Sequence, residues 1–162
     1  MSWLQPTTLR SSLVTLTPLD HRHREALIEA VNDGDLFMLW YTAVPAPETM
    51  GLLIERRLSE QAVGVAFPFA VIDNATGSAV GMTNYLNVDA VNRRVEIGGT
   101  WYRRSVQRTS FNTQAKLLLL EHAFETLNCI AVEFRTHFFN HQSRRAIERL
   151  GAKPTESYAA MS

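Results

Sequence analysis

One cysteine is all the chain carries among its 162 residues, so Cys129 has no partner for an intramolecular disulfide and there are no thiolates to build a metal cluster. A reducing compartment, the cytoplasm, is the expected setting. Long apolar runs are missing as well. The longest purely aliphatic stretch, Leu117 to Leu120, is far short of the roughly 20 residues a membrane helix requires, and the first twenty residues hold no stretch resembling a secretory signal. No membrane partner is expected. Nor is there an excess of one charge: 16 Lys plus Arg balance 16 Asp plus Glu, which leaves no overall field to draw the chain to nucleic acid. The common phosphate-loop, nucleophile-elbow and zinc-protease motifs are absent. Of the five histidines only His137 and His141 are four apart, and a predicted strand-to-helix break separates them, so no metal site is expected.

What is present is enough apolar sequence, 46% of the residues, for one core, and 162 residues fit one domain on a prior of about 100–200. Val14, Leu16 and Pro18 predict a short strand, and Asp20 caps a helix whose face is Ala26, Leu27, Ala30 and Val31, ending at Gly34. Trp40 to Pro47 reads as an ordered loop. A second helix follows to about Ala62 with the face Met50, Leu53, Ile54, Arg57 and Leu58. Phe67–Ile72 and Ala79–Val88 form a hairpin around Asp73 to Gly77. Arg94 to Arg103 is a further strand, with a bulge expected at Gly98-Gly99.

Thr113 to Leu127 is the most apolar helix, with Asn112 or Thr113 as its N-cap. Ile130 to Thr136 is a strand, a candidate parallel neighbour of the Arg94 strand across that helix, and Asn140 to Leu150 is a helix closed by Gly151. The order β α α β β β α β α describes a mixed α/β domain.

Charge is informative only locally. Arg93, Arg94, Arg103, Arg104 and Arg108 face Glu96 alone and lead directly into the apolar helix. The first-turn N–H groups and the dipole of that helix favour a phosphate or pyrophosphate there; the alternative is a solvated arginine edge.

Three ordered segments then carry a resemblance: Arg94-Val95-Glu96-Ile97-Gly98; Gln107 to Ala115; and Asn140-His141-Gln142-Ser143 with Leu150-Gly151-Ala152. Together they resemble the GNAT acetyltransferase superfamily, in the branch typified by ribosomal-protein N-terminal acetyltransferases, from about Leu13 to Ala152. The resemblance implies a mostly antiparallel central sheet with one splayed parallel strand pair and flanking helices. It implies acetyl-CoA as co-substrate, held by the backbone of Gln107, Arg108, Thr109, Ser110, Phe111, Asn112 and Thr113, where the family pattern Q/R-x-x-G-x-G/A has its glycines at the positions of Ser110 and Asn112.

By the same carry-over the backbone of Tyr102 polarises the thioester carbonyl, Asn140 contacts pantetheine, and Ser143 protonates the leaving thiolate; the other reading of Ser143 is a helix-end hydroxyl serving the backbone. Glu96 is the general base in one reading, and in the other a strand-face glutamate paired to Arg94 or Arg103. The implied activity is acetyl transfer to a primary amine, on a protein N-terminus or a small molecule, by direct attack in a ternary complex. The rival is a non-catalytic acyl-CoA-binding or interaction domain with the same fold. Relatives continue beyond the Leu150 segment into a strand pair. Here that pair is expected to be missing or reduced to one short strand, leaving the Ile130–Thr136 edge open and favouring a homodimer.

Overall fold

The computed structural model describes residues 3–34, 44–135, 153–154 and 158–161. Strands β1 (Leu9–Arg10) and β2 (Val14–Pro18) precede a 3₁₀ turn, His21–His23, and helix α1 (Arg24–Asn32). Asp20 starts this helix by a reciprocal cap: its carboxylate accepts from the Arg22 N–H, and its own N–H donates to His23 Nδ1. A second 3₁₀ turn, Pro47–Thr49, leads into α2 (Met50–Ala62), which turns Met50 and Ile54 inward.

Strands β3 (Phe67–Asp73), β4 (Ala79–Asp89) and β5 (Arg94–Tyr102) follow as an antiparallel meander, then α3 (Phe111–Glu121), a π turn (His122–Thr126), and β6 (Ala131–Arg135). The last strands are β7 (Lys153–Pro154) and β8 (Tyr158–Met161). Among the described residues the strands make one sheet in the order β1-β2-β3-β4-β5-β6-β8-β7, and every pairing is antiparallel except β5 with β6. The expected helix from Asn140 to Leu150 lies outside the described residues.

The sheet separates two cores. On one face Val95, Ile97, Val132 and Phe134 pack against Ala115, Leu119, Leu120 and Ala123 of the α3 segment. On the other, Ala70, Met82 and Trp101 pack against Leu27, Ala30 and Val31 of α1 and Met50 and Ile54 of α2. Alternation along the strands decides which side chain goes to which core.

Two expectations are corrected. Helix α3 begins at Phe111, so Asn112 and Thr113 sit inside its first turn, and its N-cap is Ser110, whose side chain makes no capping bond. Its last turn widens to a π turn, in which Leu127 N–H reaches His122 O, and Asn128 in left-handed conformation (φ +55°) leads out to β6. The tail supplies two short strands, and β8 pairs antiparallel with β6 from Val132↔Met161 to Arg135↔Tyr158. The four tail residues of β8 cover β6 along its described length from Val132 to Arg135. The open edge from which self-association was argued is closed within the chain, and Pro154, with no N–H to offer, lies on the outermost strand.

Candidate active site

The site is set by where β5 and β6 stop being neighbours. Among the described residues their ladder runs from Arg94↔Ala131 to Ile97↔Phe134, and β5 continues five residues further, to Tyr102, with β4 as its described neighbour. The two strands are parallel, so the gap opens at their carboxyl ends, where open α/β sheets bind ligands. The sequence places a bulge at the mouth of this gap. Gly98 and Trp101 face Asn84 and Met82, so one extra residue is accommodated on β5, with Gly99 at φ +61°. Asn84 pins the bulge: its Nδ2 donates to the carbonyls of Gly98 (3.0 Å) and Gly99 (3.3 Å).

Glu96 stands at the last paired turn of β5, only 4% exposed, on the face opposite Val95 and Ile97. Asn87 Nδ2 donates to its Oε2 at 3.3 Å. The two arginines weighed as its partners are engaged with others: Arg94 bridges to Glu133 on β6, and Arg103 to Asp33 at 3.1 Å. Asp33 also accepts from the Ser105 N–H at 2.9 Å, and this bond, helped by Arg103, holds its carboxyl below the usual carboxylate range. That pair of contacts clamps the end of α1 to the segment after β5. Arg104 packs its stem over Gly34. The basic segment is therefore partly consumed in structure, leaving Arg108 exposed at the loop.

The loop into α3 is closed from β5 by Gln107, whose Nε2 donates to the Tyr102 carbonyl at 2.9 Å. Arg108, at φ +62°, is the residue that turns left-handed there. The two family glycine positions need no glycine backbone in this chain: Ser110 is right-handed at φ −73°, ψ −3°, and Asn112 is helical. Thr109 folds its hydroxyl back on Val106 O and accepts from the Phe111 N–H at 3.3 Å. The N–H groups of Asn112 and Thr113, in the first turn, have no preceding helical carbonyl to bond. Arg108, Thr109 and Ser110 are exposed. Beside them Tyr102 Oη and Asn112 Oδ1 are buried without a hydrogen-bond partner. An exposed helix start with unspent N–H donors, reached by a loop that carries the exposed Arg108, fits a pyrophosphate-bearing ligand.

Of the remaining sequence-derived candidates, Asn140 and Ser143 lie outside the described residues. Trp101 and Tyr102, at the end of β5, are each 7% exposed and belong to opposite cores. Sequence reasoning missed Asn84, Asn87 and Arg57. A signal existed for two of them: Asn84 interrupts a strand that is buried from Ala79 to Tyr85, and Arg57 occupies a position on the apolar face of α2.

The chain belongs to the GNAT acetyltransferases: the model of that family, an acetyltransferase (GNAT) domain, matches residues 14–153. Members of the family use acetyl-CoA. Comparison with curated proteins finds no sequence match. Among solved structures the chain is similar to a GCN5-related N-acetyltransferase from Brucella melitensis, with TM-score 0.83 and 21% identity over 98% of this chain and 79% of that one. It is similar to Mycobacterium smegmatis RimJ in complex with CoA-disulfide, with TM-score 0.80 and 19% identity over 96% and 87% of the two chains. RimL, a ribosomal-protein alpha-N-acetyltransferase in complex with coenzyme A, gives TM-score 0.79 and 15% identity over 96% and 97%. At these identities the likeness is one of fold.

Proposed function

We propose that the chain is an acetyl-CoA-dependent N-acetyltransferase acting on a primary amine, of a protein N-terminus or a small molecule, by direct attack in a ternary complex. The observation that carries this reading is Glu96: a buried carboxylate on the central strand, one residue before the last described β5–β6 pair. Acetyl-CoA supplies an acyl group activated as a thioester. In this reading the backbone from Arg108 to Thr113 holds the pyrophosphate, and the gap beyond Ile97 takes the pantetheine arm. The backbone of Tyr102 is assigned to polarise the thioester carbonyl, a role supported by Gln107, which fixes the strand end through the Tyr102 carbonyl. Asn140 against pantetheine and Ser143 as proton donor to the leaving thiolate complete the assignment.

Glu96 takes the proton that the attacking ammonium must lose, directly or through water, while Asn87 orients its carboxylate. The new bond is N–C and the broken one C–S: one proton leaves the ammonium for Glu96 before the amine attacks, and the second leaves the nitrogen as the C–S bond breaks, replacing through solvent the proton that Ser143 gives the thiolate. Cys129 takes no part, because it is buried and burial pushes its thiol pKa up. The single thiol also supports a reducing compartment, and the cytoplasm is part of the reading.

The test is release of free CoA from acetyl-CoA against a panel of amines and peptide N-termini, with the acetylated product identified by mass. Acetyl-CoA is expected to raise the melting temperature as its concentration rises. Such a shift without turnover on any amine would replace the enzyme by a non-catalytic acyl-CoA-binding domain.

A further inference from the structure

Across the β5–β6 ladder, the residue paired with Glu96 is a second carboxylate, Glu133. Paired residues on neighbouring strands share a face, and so do residues two apart on one strand, which puts Arg94, Glu96 and Glu133 together on the face opposite Val95 and Ile97. The ion pair between Arg94 and Glu133 agrees with that placement. Arg94 has two carboxylates to choose from. Glu96 is two residues along its own strand, roughly 6–7 Å away at the backbone, and Glu133 is its diagonal neighbour on β6, at about 7–8 Å. The guanidinium bridges to the more distant one. Both side chains of that pair are partly open to solvent, whereas Glu96 is only 4% exposed. On the β4 side the neighbour of Glu96 is Asn87, a neutral donor. From α2, Arg57 approaches Gly99, three residues past Glu96, and is bonded to Glu60 at 3.0 Å; Arg103, beyond the end of β5, is held by Asp33 at 3.1 Å. Two further basic residues belong to the neighbouring strands: Arg135, two positions past Glu133 on β6, and Lys153, which ends the cross-strand row Glu133↔Ala160↔Lys153.

We infer that Glu133 is a positioning residue for the proposed acetyl transfer: by holding the Arg94 guanidinium against β6 it limits that cation's hold on Glu96 and keeps Glu96 basic enough to take the ammonium proton. This rests on the acetyltransferase reading and deepens it. A guanidinium brought against a carboxylate favours its charged form and lowers its pKa by about 1–3 units, and a base weakened that far accepts a proton from an ammonium less readily. A second carboxylate acts in the opposite sense, because like charges in one place raise each other's affinity for a proton. Glu133 therefore works twice in one direction. Its own charge stands across the ladder from Glu96, and it occupies the cation that would otherwise settle there. No proton passes through Glu133 itself; the ammonium proton still goes to Glu96.

The experiment titrates the Glu96 carboxyl by carbon NMR in wild type, Glu133→Gln, Arg94→Gln and the double variant, with Glu96→Gln assigning the signal and the pH dependence of kcat/KM measured alongside. Glu133→Gln keeps the size of the side chain and removes the charge that holds Arg94. The Glu96 midpoint is expected to fall by about one pH unit or more in Glu133→Gln, with the acid limb of kcat/KM moving down by the same amount and kcat dropping about tenfold. Arg94→Gln is expected to raise the midpoint, and to raise it further in the Glu133→Gln background than in wild type, because there the released guanidinium rests on Glu96. Arg57, Arg103, Arg135 and Lys153 are unchanged in all four proteins and drop out of the comparison. The Arg94–Glu133 pair is partly exposed, so its loss is expected to leave the fold in place. Glu133→Thr, which favours a strand, serves the same purpose, and either well-folded variant is decisive. An unmoved Glu96 midpoint, or an equal effect of Arg94→Gln in the two backgrounds, would overturn the inference, and turnover that continues with an unmoved acid limb would do so while sparing the acetyltransferase reading. Because the midpoint is read without turnover, the expected shifts in a protein that acetylates no amine would sink the enzymatic reading and leave the control of Glu96 by Glu133 standing.

Discussion

Among the described residues β5 is bonded on both sides from Arg94 to Ile97, to β4 and to β6, and from Gly98 to Tyr102 to β4 alone. In the first half side chains are placed with partners: Arg94 on Glu133, Glu96 with Asn87, and Val95 and Ile97 in the α3 core. In the second half the backbone bulges, and Asn84 Oδ1 beside it and Trp101 Nε1 and Tyr102 Oη further along, on opposite faces, are buried without a hydrogen-bond partner. A doubly laddered strand is rigid and spends its polar groups on itself. Where one neighbour leaves, the same strand is still held by the other and its polar groups are free for a ligand. Stability and chemistry are thus divided along a single strand, with Glu96 near the junction.

The largest effect that would break this division falls on Glu96 itself. Glu96→Gln keeps the shape and an acceptor for Asn87 but removes the base, and kcat is expected to fall about 10²–10⁴-fold, with the acetyl-CoA dissociation constant unchanged by calorimetry. Unchanged turnover at neutral pH would return Glu96 to the scaffold half. Next comes Ile97, 1% exposed, in the paired half. Ile97→Ala is expected to cost about 2–5 kcal/mol in urea unfolding, because it empties a site between the sheet and α3. Trp101→Phe, in the half described with β4 alone, is expected to cost less, about 1–2 kcal/mol, since the orphaned N–H it removes bonds nothing in the fold and only part of a ring in the second core is lost. Equal costs at the two positions would mean that the second half is scaffold too.

How much of this the sequence revealed depends on how local each cause is. The hairpin, the bulge at Gly98-Gly99 and the two-helix face opposite α3 follow from turn residues, a glycine pair and apolar spacing, all within a few residues of one another. The start of α3 was misplaced because Asn112 and Thr113 are better capping residues than a serine whose hydroxyl makes no cap, and the choice is made by the loop that Gln107 ties to β5. Strand β8 was underestimated because Tyr-Ala-Ala-Met has little strand propensity of its own; the waiting edge of β6 decides it. Arg57 and Asn84 could be noticed as polar residues in apolar patterns, but that they meet at Gly99 is a contact between α2, β4 and β5 that no spacing encodes.

Helix α3, which covers the paired half, holds one residue at odds with that role, and it sharpens the comparison. Lys116 is buried at 4% exposure, and burial alone lowers its pKa to about 8 from 10.5. Between those values the unfolded chain holds a proton that the folded one lacks, so stability is expected to rise by roughly 3 kcal/mol as pH increases from 8 to 10.5. Below pH 8 both states are charged and the folded state bears the full penalty. Lys116→Met is therefore expected to stabilise the protein by a comparable amount at pH 7 and to abolish the rise, read from urea midpoints across pH. A midpoint that stays flat in wild type would show that the ammonium finds a partner.

The smallest effect is expected at the family glycine position occupied by Ser110. If its backbone were left-handed, Ser110→Gly would relieve strain and tighten acetyl-CoA binding; at φ −73° there is no strain to relieve. The hydroxyl makes no capping bond, so its loss leaves no backbone group unsatisfied. What remains is the added freedom of glycine in the unfolded chain, about 0.5–1 kcal/mol of stability, and whatever bond the hydroxyl makes to a phosphate oxygen. The dissociation constant for acetyl-CoA is accordingly expected to stay within about threefold of wild type in calorimetry. Tightening by tenfold or more would show that the phosphate must approach the backbone more closely than the serine Cβ allows, and would restore the steric reading of the family glycine. Weakening by tenfold would make the serine hydroxyl a donor to the ligand, and the unpaired half of β5 would then extend its ligand surface into the first turn of α3.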